Sequence, residues 1–213
     1  MNNTDLPLKV NSDYPLILAS ASPRRKEILE AHGFTPFVIP SDVEETLPAG
    51  AEFTPEQTTI YLAELKADSV LNTLDPGDWP NGCMILGVDT IVYKDRIIGK
   101  PVDEADALDI LRSLKNGSHE VISGVCLLII NALSDRLDID AKHLFSDTTV
   151  VSFGDYTDED ILAYIRANPP YDKSGSYAIQ SDWGRHVLDY DGDIENVIGL
   201  PFEKLSSYFE QVK

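Results

Sequence analysis

The chain has 213 residues, enough for one domain or two tightly joined lobes, and a core of that size buries roughly 70% of the unfolded surface without disulfide staples. Its 17 basic residues stand against 36 acidic ones, a net charge of −19, which argues against nucleic acid and anionic membrane as partners. The two cysteines, Cys83 and Cys126, sit in apolar runs and do not read as a secreted disulfide framework, so the cytoplasm is the expected location; the longest apolar run, Val125 to Ile130, is far short of the ~18 residues of a membrane span.

Met1 to Tyr14 is polar, lacks a positive-then-apolar signal pattern, and is expected to be a loose leader. Leu16-Ile17-Leu18-Ala19 then reads as a short buried strand, followed by Ser20-Ala21-Ser22-Pro23-Arg24-Arg25. Ser22 suits an N-cap and Pro23 the first helical position, so the strand opens directly onto a helix N-terminus. Free amides and the positive end of the dipole gather there, Ser20 and Ser22 add hydroxyl donors, and Arg24 and Arg25 add planar forks that match phosphate oxygens. The stretch reads either as a phosphate cradle or as an ordinary capped helix with two surface arginines. It is not a Walker loop, because the glycines and lysine are absent.

The first helix is expected to end near His32-Gly33, with a short strand at Phe37-Val38-Ile39 and an irregular acidic loop from Ser41 to Thr46. Thr54-Pro55-Glu56-Gln57 starts a second helix that runs to about Leu71. Leu74 to Gly82 is a turn-rich loop. Met84 to Tyr93 is a strand, turned back through Lys94-Asp95-Arg96 into Ile97-Ile98, and Gly99-Lys100-Pro101 breaks the pattern. From about Asp103 to Lys115 the spacing predicts a helix with Ala107, Leu108, Leu111 and Leu114 inward and Ile110 on the flank. His119 to Ile130 is a long strand, Asn131 to Lys142 a mostly polar loop, and Phe145 to Phe153 another strand. Thr157 to Asp160 opens a helix that ends before Pro169-Pro170. Two short strands are expected near Tyr177-Ile179 and His186-Leu188, then a turn at Asp191-Gly192 and a last helix from Pro201. Strands and helices alternate around long hairpin-like strands, which predicts an α/β fold with a mixed sheet.

Several residues could carry chemistry. Asp89 interrupts an apolar strand, either as a turn or capping residue or as a functional group at the sheet edge. Lys100 sits in a rigid turn, and Asp172 to Gln180 mixes charge, small residues and an amide. His32, His119, His143 and His186 are too widely spaced for a zinc site, and neither cysteine has a flanking cation that would activate a thiolate. His119, at a strand start, reads as a buried hydrogen-bonding residue. Trp79 and Trp183 suit either packing or the rim of a site.

The order of these segments resembles the Maf family of nucleoside triphosphate pyrophosphatases. The family's opening Leu-Ala-Ser-x-Ser-Pro-Arg-Arg stands here as Leu18 to Arg25, its acidic loop as Ser41 to Glu45, and its Leu-Ala-x-x-Lys-Ala as Leu62 to Ala67. Its Ala-Asp-Thr element is Val88-Asp89-Thr90, its Gly-Lys-Pro is Gly99 to Pro101, and its Asn-Val-x-Gly-Leu-Pro is Asn196 to Pro201. Its Asp-Lys-Ala-Gly-x-Tyr-x-Ile-Gln-Gly is Asp172 to Ser181, with Ser174 for Ala and Ser181 for Gly.

The resemblance implies a mixed, twisted sheet with flanking helices and two lobes around a nucleotide-binding cleft, of the Maf and inosine-triphosphatase type, as a single catalytic domain over residues 15–213. It implies hydrolysis of a nucleoside triphosphate to the monophosphate and pyrophosphate with Mg or Mn, and a possible homodimer. Asp89 corresponds to the catalytic base, Ser20, Arg24, Arg25, Lys66 and Lys100 to phosphate contacts, and Glu45 with Asp89 to metal ligands. A metal-bridged basic site would reconcile a −19 chain with a polyanionic substrate. Arg24, Thr90 and Gln180 look like the branch that acts on dTTP and UTP, where the other branch, acting on 7-methyl-GTP, carries Trp, Gln and Glu. An amide at Gln180 suits the neutral O4/N3–H edge of uracil or thymine. The alternatives are a 7-methyl-GTP pyrophosphatase, a phosphatase removing the terminal phosphate, and a non-catalytic nucleotide-binding regulatory protein.

Overall fold

The structure, a computed structural model, describes residues 14–133 and 135–209. The leader expected over residues 1–14 lies, apart from Tyr14, outside the described residues. Among these residues seven strands form one mixed sheet: β1 (Leu16–Leu18), β2 (Phe37–Val38), β3 (Cys83–Lys94), β4 (Arg96–Ile98), β5 (Ser118–Ala132), β6 (Leu137–Phe153) and β7 (Val187–Asp191). Their order is β2-β1-β3-β5-β6-β7, with β4 on the edge of β3. β1 runs parallel to β2 and β3, and the other pairs are antiparallel. Among the described residues six α-helices flank the sheet: α1 (Pro23–Ala31), α2 (Pro55–Leu71), α3 (Glu104–Leu114), α4 (Asp158–Ala167), α5 (Ile194–Ile198) and α6 (Phe202–Phe209).

Strand alternation sorts the core. Leu16 and Leu18, Met84, Leu86 and Val88, and Val125, Leu127 and Ile129 point to one face, where Leu29 of α1 and Leu205 and Phe209 of α6 cover them. Ile17, Cys83, Ile85, Cys126 and Leu128 point to the other, under Ala63, Ala67 and Val70 of α2. A third cluster closes the far end of the sheet, where α3 and α4 pack on Val92, Val121, Val151 and Phe153 around the buried Trp183. Trp183 is therefore a packing residue, and Trp79 is a half-buried one set edge-on to Phe37.

Helix α2 lies unusually close to the sheet. A Cβ on Gly87 would stand 2.1 Å from the Ala63 carbonyl oxygen, and one on Gly124 2.1 Å from the Thr59 carbonyl carbon. Only glycine lets the helix backbone approach β3 and β5 this far. Its start is a full capping box: Thr54 Oγ1 accepts from the Gln57 amide, and Gln57 Oε1 accepts from the Thr54 amide. Thr157 and Asp160 open α4 in the same way.

Four sequence expectations are corrected. Asn131 to Lys142 is not a loop: β5 continues to Ala132 and β6 begins at Leu137, paired as Ile130↔Ile139 and Ala132↔Leu137. Leu137, Ile139 and Ala141 alternate with Asp138, Asp140 and Lys142, a strand pattern that the polar content of the stretch as a whole hides, and pairing with the apolar β5 completes it. Tyr177-Ile179 is not a strand but lies between two 3₁₀ turns, Ser174–Ser176 and Asp182–His186, after left-handed residues at Gly175 and Ser176. In α3 it is Ile110 that is buried, with Leu108 partly exposed, because α4 lies on that side. Helix α5 carries too few residues to show a periodicity and was not expected. The strand placed near His186-Leu188 is β7, which runs on to Asp191.

Candidate active site

The site lies in a gap along one edge of β3. β1 pairs with β3 only through Leu16↔Met84 to Leu18↔Leu86, and β4 pairs with it only from Val92↔Ile98 onward. After Ala19 the chain leaves the sheet for α1, so the segment between Leu86 and Val92 has no strand partner on that side. The open place lies beyond the carboxyl end of β1, where ligands of α/β sheets characteristically bind. A cleft of about 320 Å³ occupies it.

Asp89 and Thr90 stand in the gap, and alternation sends them to opposite faces. Asp89 shares the parity of Cys83 and Ile85 and meets α2. Lys66, one turn from Ala63 and Val70 on the packed side of that helix, donates from Nζ to Asp89 Oδ1 at 2.6 Å. Both residues are buried, at 8% and 7% exposure. The same ammonium lies 3.2 Å from Glu45 Oε1, so the acidic loop is drawn onto the cleft.

Thr90 turns to the α1 face. There Arg25 donates from Nη2 to Thr90 Oγ1 at 3.2 Å, from Nη1 to Ser20 Oγ at 2.8 Å and from Nε to the Gly199 carbonyl at 2.9 Å. Ser20 Oγ also accepts from the Ser22 amide, so the hydroxyl expected to donate is an acceptor on both counts. Ser22 stands at the N-cap position but its side chain makes no capping bond. Burial pulls the Arg25 guanidinium below its ordinary pKa, and Asp89 opposes that shift.

Arg24 reaches the other way, donating from Nη1 to Asp172 Oδ2 at 2.9 Å. Lys173 donates to the second oxygen of the same carboxylate. Burial raises the Asp172 pKa, but Lys173 and Arg24 outweigh it and hold the carboxyl at about 2. Lys100 and Gln180 are exposed at the cleft, and no hydrogen bond holds either side chain among the described residues. Tyr177, also in the lining, has its hydroxyl 2.8 Å from Nε2 of the buried His119, which is thus a hydrogen-bonding core residue as expected.

Every residue singled out from the sequence, Ser20, Arg24, Arg25, Glu45, Lys66, Asp89, Thr90, Lys100 and Gln180, lines this cleft. Three participants carried no assigned role. Asp172 and Lys173 were noted only as part of a charged stretch, and the Gly199 carbonyl leaves no mark in a side-chain reading. Asn196 secures that last turn, donating from Nδ2 to the Val121 carbonyl at 3.0 Å and to Thr149 Oγ1 at 3.1 Å.

Chemically the lining sets Arg24, Arg25, Lys66, Lys100 and Lys173 against Glu45, Asp89 and Asp172. That is a local excess of positive charge in an acidic protein, suited to a polyanion, with one buried carboxylate able to take a proton. Among the described residues no group of three or more His, Cys, Asp or Glu is arranged to hold a metal ion. Glu45 and Asp89 are nevertheless brought together on the Lys66 ammonium, and a hard divalent ion is commonly held by one or two carboxylates together with substrate phosphates. The residues present fit such an ion. No helix among the described residues is long and apolar enough to cross a membrane.

Comparison with known proteins covers nearly the whole chain. The family model described as Maf-like protein matches residues 15–212. A dTTP/UTP pyrophosphatase of Lachnoclostridium phytofermentans is 36% identical over 201 residues, 94% of each chain. One from Bacillus cereus is 40% identical over 198 residues, covering 92% of this chain and 94% of the relative. One from Ruminiclostridium cellulolyticum is 37% identical over 198 residues, covering 92% and 95%.

Proposed function

This chain belongs to the Maf family, and from that premise we propose that it hydrolyses dTTP and UTP to the nucleoside monophosphate and pyrophosphate. The observation that carries the reading is a buried carboxylate, Asp89, set in a sheet-edge gap among cations that suit a triphosphate. A pure binder of phosphates has no use for a carboxylate there. Water attacks the α-phosphorus, its oxygen forming the new bond while the bonding pair passes to the bridging oxygen of the departing pyrophosphate. Asp89 orients that water and takes its proton. Lys66, held on Asp89 and Glu45, and Arg25, held by Gly199, Ser20 and Thr90, are fixed before substrate arrives, so they stabilise charge on the phosphates with little reorganisation. Ser20 and Thr90 act through Arg25, while Arg24 and Lys100 supply further charge from the cleft walls.

A divalent cation, Mg or Mn, is the proposed cofactor: Glu45 and Asp89, the two carboxylates beside the Lys66 ammonium, would hold it together with the substrate phosphates, and when bound it would neutralise phosphate charge. Gln180, unrestrained at the rim, offers both a donor and an acceptor to the O4/N3–H edge of uracil or thymine. A site built on such complementarity rejects a mismatched base because polar groups are left unpaired. The proposed place of action is the cytoplasm, whose reducing conditions suit the buried free thiols of Cys83 and Cys126.

The test is a panel of triphosphates with Mg or Mn, scored both for pyrophosphate and for the nucleotide product. Monophosphate and pyrophosphate from dTTP and UTP, well above 7-methyl-GTP, is the expected result. Preference for 7-methyl-GTP would overturn the base assignment, release of inorganic phosphate and a diphosphate would overturn the bond assignment, and binding without turnover would leave a regulatory binder.

A further inference from the structure

We propose that Lys173 and Arg24 form the subsite for the departing pyrophosphate, with Asp172 as a displaceable counter-ion that occupies both cations until phosphate arrives. This rests on the reaction proposed above.

The cations of the cleft divide by how they are held. Lys66 is committed to Asp89 and Glu45 at the place of attack, and Arg25 is tied to three fixed oxygen acceptors. Arg24 and Lys173 are bound to one shared partner, each on a different oxygen of the Asp172 carboxylate. A single carboxylate spanning two cations stands as a phosphate group would. The exposures give the order: the side chains of Arg24 and Lys173 are 22% and 18% exposed, that of Asp172 58%. The acid is therefore the most solvent-exposed member of the trio, and all three residues line the cleft.

The segment that carries Lys173 is anchored to the rest of the site. The Lys173 amide donates to the Pro170 carbonyl at 2.9 Å, Ser174 Oγ donates to the Thr90 carbonyl at 3.2 Å, and the Gly175 amide donates to the Gly99 carbonyl at 3.2 Å. The last bond sets Lys173 beside the turn that bears Lys100. Lys173 is thus placed by the catalytic strand on one side and by the Lys100 turn on the other.

An exposed carboxylate holds such cations weakly, whereas phosphate oxygens make charge-assisted contacts and carry more charge. Substrate entry exchanges Asp172 for the β- and γ-phosphates. When the bridging oxygen leaves with its electron pair, Arg24 and Lys173 neutralise it, and Asp172 reclaims them as pyrophosphate departs.

The experiment is calorimetric titration of the full-length protein with inorganic pyrophosphate and, separately, with UMP, for the wild type, Lys173→Ala, Lys173→Arg and Asp172→Asn, each checked for an unchanged circular dichroism spectrum. Lys173→Ala should weaken pyrophosphate binding about ten-fold or more while UMP binding stays within about two-fold, and Lys173→Arg should keep most of it. Asp172→Asn should tighten pyrophosphate binding and make pyrophosphate a stronger product inhibitor. Unchanged pyrophosphate affinity in Lys173→Ala, equal losses for pyrophosphate and UMP, or weaker pyrophosphate binding in Asp172→Asn would each overturn the subsite. A wild type that binds pyrophosphate with this pattern yet hydrolyses no triphosphate would refute the reaction and uphold the subsite.

Discussion

Replacing Lys66 by Met tests the link between α2 and β3 that builds the centre of the site. Both partners are buried and 2.6 Å apart, so the substitution leaves the Asp89 carboxylate inside the protein without its cation. Removing one member of a buried pair costs about 3–5 kcal/mol, most of it from the charge left behind. Asp89→Asn is milder. The amide keeps the shape and an acceptor for Lys66, which retains Glu45 at 3.2 Å, so about 1 kcal/mol is expected. In the double variant, Lys66→Met with Asp89→Asn, no buried charge remains, and stability should recover to within about 2 kcal/mol of the wild type. Urea unfolding of all four proteins, read as midpoints at constant slope, measures the coupling directly. Turnover must behave differently. Asp89→Asn should lose about 10²–10⁴ in kcat, and the double variant should not regain it. Additive stability losses, with coupling below about 0.5 kcal/mol, would refute the buried-pair reasoning. Near-normal turnover in Asp89→Asn would remove it as the base.

Three other perturbations follow from the same geometry. Arg25→Ala should lower stability by about 1.5–3 kcal/mol as well as weaken triphosphate binding, because it strips a charged donor from Gly199, Ser20 and Thr90; an unchanged urea midpoint would return Arg25 to the role of a surface arginine on a capped helix. Gly124→Ala drives a Cβ into the backbone of α2 at Thr59 and Ile60, so a loss of about 1–3 kcal/mol and a fall in kcat are expected as Lys66 is levered from Asp89; a wild-type melting temperature would show that the helix can yield freely. His119 is buried, and burial, with a smaller contribution from Lys94, lowers its pKa to about 4. The unfolded chain, titrating near 6.5, then binds more protons below that pH, so stability is full above about 6.5 and is lost as pH falls toward 4. The loss is about 2 kcal/mol at pH 5, and His119→Gln should remove that part of the difference between melts at pH 7 and pH 5; an undiminished difference would assign it to other groups.

What the sequence by itself determined was local or periodic. The two capping boxes, Pro23 and Pro55 at helix starts, and the strand from Met84 to Tyr93 are stated by neighbouring residues, because caps and alternation act over a few positions. Part of the cleft lining was legible too, since an acid inside an apolar strand and two arginines after Ser-Pro stand out from their surroundings, whereas Glu45 and Lys66 were marked only by the family resemblance.

The tertiary structure decided who meets whom. That Asp89 and Thr90, adjacent in the chain, serve Lys66 and Arg25 from opposite faces depends on which helix covers which face. That Arg24 answers to Asp172, 148 positions away, depends on a loop brought back to the cleft by Thr90 and Gly99. The outer part of β6 alternates weakly, Leu137, Ile139 and Ala141 between charged residues, and its pairing with β5 settles it as a strand, while Ile110 is buried because α4 lies there. The Gly199 carbonyl holds Arg25 with a group every residue possesses, so no residue type could announce it. Pairing partners of this kind are separated by long stretches of chain, and their choice is made by the packing of the whole sheet rather than by any window of sequence.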